Sequence, residues 1–210
     1  ANTPALMLKL DIQRAFDTVS WEFLLELLVA RGFGRGFTNC LSALLSSSST
    51  RILVNGDLSE PINLVKGLRQ GDPLSPLLSI LAIDPLHRLL EEQRSMACSP
   101  PLPGRIGTLR TCLYADDAMI FVNPSRQEID NLLLLLDNFG RVTGLRINLG
   151  KSSVAPISSS DIDLQDVLHG FGGPVVGFPL RYLGLPITIS RVRLVHLQFI
   201  LDRIRARLVA

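Results

Sequence analysis

Two adjacent carboxylates, Asp116 and Asp117, stand in the stretch LYADDAMIF, between two runs of apolar, strand-forming residues. Unit charges about 4 Å apart repel each other by roughly 4 kcal/mol at an effective dielectric constant near 20. A divalent cation bound between the two carboxylates would remove this repulsion. The pair therefore predicts a metal site on a hairpin tip, with a plain polar turn as the alternative that applies to any motif this short.

A third carboxylate, Asp11, ends the apolar run LMLKL in the same way that Asp116 follows Leu113-Tyr-Ala. If the two strands are neighbours in one sheet, the three acids converge at one edge. Three such carboxylates can bind two hard cations about 3.5–4 Å apart, an arrangement that supports in-line displacement at phosphorus. Asp11, Asp116 and Asp117 are therefore the candidate metal ligands.

The elements that must position these acids are predicted from hydrophobic spacing and turn residues. Strands are predicted over residues 5–12, 51–55, 62–65, 109–114, 119–122, 145–148, 151–154 and 181–185. Helices are predicted over residues 20–32, 37–45, 77–92, 125–144, 161–169 and 194–208. Pro85 is expected to bend or interrupt the third helix, and Ser125 with Glu128 forms a capping-box signature at the start of the fourth. The Pro-rich segment 95–107 is the best candidate for a flexible break.

Composition limits the class of protein. With 47% hydrophobic and 19% charged residues and a net charge of +2, the chain is globular and slightly basic, and its net charge alone does not argue for nucleic acid. Its three cysteines are widely spaced and lack a CxxC pair, which argues against a disulfide framework or a zinc site. They indicate a reducing, intracellular compartment without separating nucleus from cytoplasm. No apolar stretch approaches the roughly 20 residues of a membrane span.

Five stretches occur in series: LKLDIQRAFDTVSWEFL, KGLRQGDPLSPLL, LYADDAMIF, GLRINLGKS and RYLGLPI. Together they resemble the reverse transcriptase domain of non-LTR (LINE-type) retrotransposons, nearest to the elements common in plant genomes. The resemblance covers nearly the whole chain, and GLRQGDPLSP with an ADD box favours the non-LTR group over retroviral-type enzymes. It implies an α+β fold, the polymerase palm, in which a mixed or antiparallel sheet carries helices on one face, together with partial fingers and the start of a thumb.

The resemblance implies an RNA-directed DNA polymerase. In this reaction the 3′-OH of a DNA primer attacks a deoxynucleoside triphosphate that an RNA template selects. The expected cofactors are two Mg²⁺ ions, with Mn²⁺ as a possible substitute, held by Asp11, Asp116 and Asp117. The expected partners are the RNA template, the DNA primer and deoxynucleoside triphosphates, with no membrane.

The first motif implies two contacts with the nucleotide. The backbone of Ile12 would help to hold the metal ion of the nucleotide. Phe16 would lie under the sugar and exclude a ribose 2′-OH by steric clash. The alternative for Phe16 is packing in the core. Asp17 and Trp21 are expected to shape the turn and the following helix.

The second and fourth motifs supply polar groups. Gln70 would contact the incoming nucleotide, and Arg69 would meet phosphate or template, as a planar guanidinium does well. A structural turn before a helix is the alternative for this loop. Lys151 would lie near the leaving pyrophosphate and offset its charge or act as a general acid, with a solvated surface lysine as the alternative.

The remaining motif residues are expected near the primer. Tyr114 would lie near the primer end, and Tyr182 and Gly184 belong to the hairpin that would grip the primer. The terminal helix would begin the thumb. We therefore expect residues 1–188 to form the palm with partial fingers and residues 189–210 to form the start of a thumb-like helix.

The resemblance is incomplete in several places. Only ten residues precede Asp11, so we expect a chain truncated at both ends that lacks upstream fingers and further thumb segments. Ser79 stands where the family usually has a large aromatic residue, and the apolar stripe of the terminal helix is expected to be exposed. Two alternatives remain open. The first is a truncated or domesticated remnant that binds nucleic acid without polymerising, and the second is a metal-dependent nuclease or phosphatase.

Overall fold

The computed structural model describes residues 3–96, 111–114, 117–159 and 161–208. Its strands are β1 (Ala5–Asp11), β2 (Ser49–Thr50), β3 (Leu53–Val54), β4 (Asp57–Leu58), β5 (Ile62–Asn63), β6 (Thr111–Tyr114), β7 (Asp117–Val122), β8 (Ser153–Ile157), β9 (Leu180–Tyr182) and β10 (Leu185–Ile187). Its helices are α1 (Ala15–Thr18), α2 (Trp21–Ala30), α3 (Arg35–Ser46), α4 (Ser75–Met96), α5 (Arg126–Thr143), α6 (Leu164–Val167) and α7 (Leu194–Leu208). Within the described ranges, no helix is both long and apolar enough to cross a bilayer.

A four-stranded sheet in the order β6-β7-β1-β8 lies at the centre of the fold, and all its neighbouring strands are antiparallel. Side chains alternate between the two faces of a strand. Leu6, Leu8 and Leu10 of β1 therefore share one face, where all three are fully buried. Lys9 and Asp11 share the other face, which we call the open face.

Helices α2, α4 and α5 pack against the leucine face of the sheet and form the main core with it. Helix α5 shows why the sequence folds in this way, because its buried residues recur at intervals of three and four, which places them on one side of a helix. These residues are Ile129, Leu132, Leu136, Phe139 and Thr143. Among the described residues, no layer of helices covers the open face, and Lys9 and Asp11 on it are partly exposed.

The hairpin β9–β10 covers one end of the open face. Its turn residues Leu183 and Gly184 both have positive φ angles, 51° and 80°, as a two-residue type I′ turn requires. Tyr182 packs with Met7, Met119 and Ala155 in a second, smaller hydrophobic cluster. The predicted strand over 181–185 is therefore wrong in detail, because the Leu183-Gly184 turn divides it into two paired strands.

Two helix starts differ in how far they follow the prediction. The side chain of Ser20 accepts a hydrogen bond from the Phe23 N–H at 3.3 Å, which confirms this cap. Ser125 precedes α5 but makes no side-chain cap. Glu128 instead accepts from the N–H of Asn123 at 3.0 Å and from its side-chain amide at 2.8 Å. The predicted capping box is thus wrong, because the Glu128 carboxylate bonds to Asn123, two residues before Ser125.

Other differences from the predicted elements are local. The strands predicted over 51–55 and 62–65 do not pair with each other, because β3 pairs with β4 and β2 pairs with β5. Residues 145–148 form no strand and contribute one bridge, Ile12 to Ile147. Helix α4 continues through Pro85 without interruption. Most of the predicted break over 95–107 lies outside the described residues.

Helix α7 has no buried residue. Of its apolar stripe, Leu194 and Leu208 are more than two-thirds exposed and Leu201 and Ile204 are 38% and 49% exposed, whereas Leu197 is partly buried. The expected exposure of the stripe is thus confirmed for four of its five residues. The Arg181 guanidinium of β9 lies 4.4 Å from the centre of the Phe199 ring. This cation–π contact joins the helix to the hairpin. The division of the chain at residue 188 stays a prediction.

Candidate active site

Asp11 and Asp117 lie directly opposite each other on adjacent strands. Strands β1 and β7 pair with Asp11 and Asp117 as register partners, and directly opposed residues of an antiparallel pair project to the same face with Cβ atoms about 4.5–5.5 Å apart. The predicted pairing of the strand that ends at Asp11 with the strand before Asp116 is wrong, because β7 lies between β1 and β6. Asp11 converges instead with Asp117, the first residue of β7. The third predicted ligand, Asp116, lies outside the described residues.

A lysine completes the polar group on the open face. The Lys9 ammonium nitrogen lies 3.5 Å from a carboxylate oxygen of Asp117, with side-chain exposures of 32% and 26%. The sequence motifs did not single out Lys9. Alternation along β1 could have found it, because a residue two positions before Asp11 must share its face.

The donor set fits a hard divalent cation. Asp11 and Asp117 offer carboxylate oxygens, which Mg²⁺ prefers, and both side chains are only partly buried. In the described part of the chain, no three carboxylate, imidazole or thiol side chains form a cluster, and Asp116 is not in that part. Of the three predicted ligands, the described residues include Asp11 and Asp117, and their role as ligands stays a prediction.

The backbone of Asp11 is fixed by the turn that carries Lys151. The Asp11 N–H donates to Ser152 Oγ at 3.1 Å, and the Ser152 hydroxyl donates to the Asn148 carbonyl at 2.7 Å. The Asn148 N–H in turn donates to the Asp11 carbonyl at 2.8 Å. Ser152 is fully buried whereas Lys151 is exposed. Motif reasoning missed Ser152, whose only signal was its position directly after Lys151.

Ile12 and Phe16, which follow Asp11 in the chain, are buried and partly buried, respectively. Ile12 is buried, and it pairs with Ile147 through its backbone. Phe16 is partly buried against the main core, and together with Ser79 it lines a cavity of about 370 Å³. Ser79 is half-buried and donates to the Pro76 carbonyl at 2.8 Å, so a cavity lies where a large side chain is expected.

The loop GLRQGDPLSP is fastened to helix α1 and the residues after it. The Gly67 N–H donates to the Val19 carbonyl at 2.8 Å, and the Trp21 indole donates to the Gly67 carbonyl at 2.6 Å. Gly67 has a φ of +86°, and a Cβ placed on it would lie 2.6 Å from the Asp17 carbonyl oxygen. Only glycine fits this close approach.

Gln70 and Arg69 occupy the outer part of the same loop. The Gln70 side-chain amide donates to an Asp17 carboxylate oxygen at 3.4 Å, and Arg69 is exposed. Sequence reasoning placed Asp17 in the turn but did not anticipate this contact, which joins residues 53 positions apart. The contact attaches the Gln70 amide to α1.

The tyrosines expected near the primer differ in exposure. Tyr114 is 62% exposed and is the register partner of Asp117. Tyr182 is buried, and its hydroxyl lies 3.6 Å from the Cys112 sulfur. Burial raises the pKa of Tyr182, and the Cys112 thiol and the Asp117 charge raise it further. Tyr182 thus anchors the hairpin, and Gly184 occupies the exposed turn.

Comparison with known proteins places this geometry in a family. Residues 1–187 match the family model described as reverse transcriptase (RNA-dependent DNA polymerase). The Pol polyprotein from the type-1 retrotransposable element R2 of Popillia japonica is 30% identical over 195 residues, covering 89% of this chain and 31% of that protein. The transposon TX1 149 kDa protein of Xenopus laevis is 32% identical over 149 residues, covering 70% and 11%. The chain spans about a third of the length of the first relative.

Solved structures share the fold at low sequence identity. Telomerase from Candida albicans, in complex with a fragment of telomeric RNA, has a TM-score of 0.60 at 13% identity, over 88% of this chain and 29% of that one. Apo telomerase from Candida tropicalis has a TM-score of 0.53 at 10% identity, over 76% and 32%. This likeness confirms the predicted fold class, an α+β polymerase palm with helices on one face of its sheet.

Proposed function

Because the chain belongs to the reverse transcriptase (RNA-dependent DNA polymerase) family and its relatives are proteins of non-LTR retrotransposons, we propose that it catalyses RNA-templated DNA synthesis. The observation that carries the proposal is the pair Asp11 and Asp117, opposed on adjacent strands of the open face. Carboxylates so placed could hold divalent cations, which offset the negative charge of the reacting phosphate in nucleotidyl transfer. The family match favours this function over a nuclease or phosphatase that would use the same acids.

Asp11, Asp116 and Asp117 would hold the metal, for which we propose two Mg²⁺ ions, with Mn²⁺ able to substitute. When bound, the ions would activate the primer 3′-OH and stabilise the charge on the pyrophosphate. The contribution of the protein is to hold the carboxylates in place before substrate binds. The hydrogen bonds among Asp11, Asn148 and Ser152 serve this purpose.

Lys151 would act on the leaving pyrophosphate. Its ammonium group is exposed on the turn that Ser152 attaches to Asp11, so the turn is fixed relative to the carboxylates. A cation at this place would offset the charge on the leaving group or donate a proton to it. The turn therefore joins two parts of the reaction, the metal ligand and the leaving-group cation.

The deoxynucleoside triphosphate would bind across α1 and the loop after β5. The Phe16 ring would exclude a ribose 2′-OH, and the Ile12 backbone would approach the metal of the nucleotide. Arg69 is exposed for contact with phosphate or template, and Gln70 would contact the incoming nucleotide. The hydrogen bond from Gln70 to Asp17 holds the loop over α1 before the nucleotide arrives.

The DNA primer and its RNA template would lie along the open face. Tyr114 is exposed beside Asp117 for contact with the primer end. Tyr182 and Gly184 would grip the primer through the hairpin that Tyr182 anchors. We further propose that residues 1–188 form the palm with partial fingers and that residues 189–210 begin the thumb.

The product of primer extension tests this function. Purified protein is given oligo(dT) annealed to poly(rA), with Mg²⁺ and either dTTP or UTP. We expect extension with dTTP, a product that resists ribonuclease and is degraded by deoxyribonuclease, and loss of extension in EDTA. Folded protein that extends no primer on this template would contradict the proposal. This result would support the alternative, a truncated or domesticated remnant that binds nucleic acid without polymerising.

A further inference from the structure

Lys9 is the basic residue closest to the carboxylate pair in the described sheet. It precedes Asp11 by two positions on β1 and therefore projects from the same open face. In the strand register it is opposite Met119, which places it diagonally from Asp117. A long side chain can span such a diagonal, and the ammonium nitrogen of Lys9 lies 3.5 Å from the Asp117 carboxylate.

The contact balances an otherwise unfavourable charge arrangement. Asp11 and Asp117 face each other across two paired strands, where directly opposed like charges are destabilising. The Lys9 and Asp117 side chains are both less than one-third exposed, so water screens the ion pair only in part. One ammonium group thus neutralises one of the two carboxylates while no cation is bound.

We propose that Lys9 is the resident counter-ion of this carboxylate pair and that it competes with the divalent cation for Asp117. The inference rests on the proposed function, because it takes Asp11 and Asp117 as metal ligands. An ammonium group and a metal ion cannot both neutralise the same carboxylate oxygen at full strength. Lys9 therefore stabilises the protein without metal and weakens the binding of metal.

Metal binding tests the inference without any polymerase activity. Mn²⁺ is titrated into the chain, and free Mn²⁺ is followed by electron paramagnetic resonance. The variants are Lys9→Met and Lys9→Gln, which remove the charge, and Lys9→Arg, which keeps it. Lys66→Met removes a charge from an exposed lysine that lies outside the open face, and Asp11→Asn identifies the site itself.

We expect Lys9→Met and Lys9→Gln to bind Mn²⁺ with a Kd about three- to tenfold lower than that of the wild type, the effect of one unit charge near a partly exposed site. Lys9→Arg and Lys66→Met should match the wild type. An unchanged or higher Kd in both neutral variants, with Mn²⁺ binding lost in Asp11→Asn, would overturn the role of Lys9 and leave the metal site standing. Wild-type Kd values in Asp11→Asn would overturn the metal site and the inference together.

A double-mutant cycle tests the ion pair in the absence of metal. In EDTA, we expect Lys9→Met to lower the melting temperature of the wild type and to have no such effect on Asp117→Asn, because the partner charge is already gone. An equal loss of melting temperature in both backgrounds would overturn the inference, since it would assign the effect of Lys9 to packing.

Discussion

The backbone N–H of Asp11 donates a 3.1 Å hydrogen bond to the side-chain oxygen of Ser152, 141 positions later in the chain. Ser152 is fully buried, so no water can replace it as the acceptor. The bond attaches the turn of Lys151 to the strand of Asp11. A small buried hydroxyl thereby connects two groups proposed to act in the same reaction, the metal ligand Asp11 and the leaving-group cation Lys151.

Replacement of this hydroxyl should destabilise the protein and weaken its metal site. Ser152→Ala leaves the partly buried Asp11 N–H without its acceptor, at a cost of about 1–3 kcal/mol in the free energy of unfolding. Urea unfolding measures this cost, and Mn²⁺ titration measures the effect on the site. Ser152→Thr retains the hydroxyl and should recover part of the loss of Mn²⁺ affinity.

Ser159→Ala is the matched control for Ser152→Ala. Ser159 is also buried, and its hydroxyl bonds to the carbonyls of Ala5 and Ile157 at the opposite end of β1. We expect this variant to lose some stability and no Mn²⁺ affinity. Equal losses of affinity in the two variants would show that Ser152 has no specific part in holding Asp11.

Alanine substitutions at two glycines of the same loop should distinguish the stability cost of a steric collision from that of backbone strain. Gly67 and Gly71 have φ angles of +86° and +91°, but only a Cβ at Gly67 would collide with Asp17, at 2.6 Å from its carbonyl oxygen. Gly71→Ala should cost about 1 kcal/mol of unfolding free energy, the usual penalty for a positive φ. Gly67→Ala should cost at least twice as much, as measured by urea unfolding, because the loop must also move away from α1. Similar costs would contradict this account.

Removal of the Phe16 ring should relax sugar selection. If the ring excludes the ribose 2′-OH, Phe16→Ala should lower the preference for dTTP over UTP by roughly 10- to 100-fold, as removal of one steric clash allows. Competing single-nucleotide additions to the oligo(dT) primer measure this preference. Phe23→Ala is the control, because Phe23 packs against the same core from α2. An unchanged preference for dTTP over UTP in Phe16→Ala would show that Phe16 packs in the core and does not select the sugar.

Tyr182 should resist ionisation until the protein unfolds. Burial raises its pKa above the usual 10.0, whereas Tyr114, the other tyrosine of the chain, is 62% exposed. A raised pKa favours the folded state below about pH 10, and this contribution is lost as the pH rises from there through the folded pKa. The phenolate absorbance of the wild type should therefore contain a component that appears only when the protein unfolds. The Tyr182→Phe variant should lack this component, and its presence in that variant would contradict the burial of Tyr182.

The sequence was sufficient where short-range periodicity determines the structure. The apolar run ending at Asp11 and the run after Asp117 predicted two strands, which formed as β1 and β7. The sequence did not predict that these two strands pair with each other, because strand order depends on long-range contacts. The helix predicted over residues 125–144 likewise formed as α5, with Ile129, Leu132 and Leu136 among its buried residues. The fold class followed from the family resemblance.

The contacts that sequence reasoning missed are long-range or depend on one side-chain conformation. Ser152 meets Asp11, and Gln70 meets Asp17, only after the sheet and the loop have formed, so no local pattern shows either contact. Glu128 could satisfy the N–H of its cap or that of Asn123, and the structure selects Asn123. The roles of these residues in catalysis stay predictions.

The rate of single-nucleotide addition on the RNA-templated primer, measured for the wild type and Asp11→Asn under single-turnover conditions, tests the central claim most directly. Asp137→Asn is the control, because Asp137 is an exposed residue of α5 paired with Arg141. The account predicts a loss of roughly 10³-fold or more in Asp11→Asn, since a metal ligand contributes several kcal/mol to the transition state, and a wild-type rate in Asp137→Asn. Equal rates in the wild type and Asp11→Asn would contradict it.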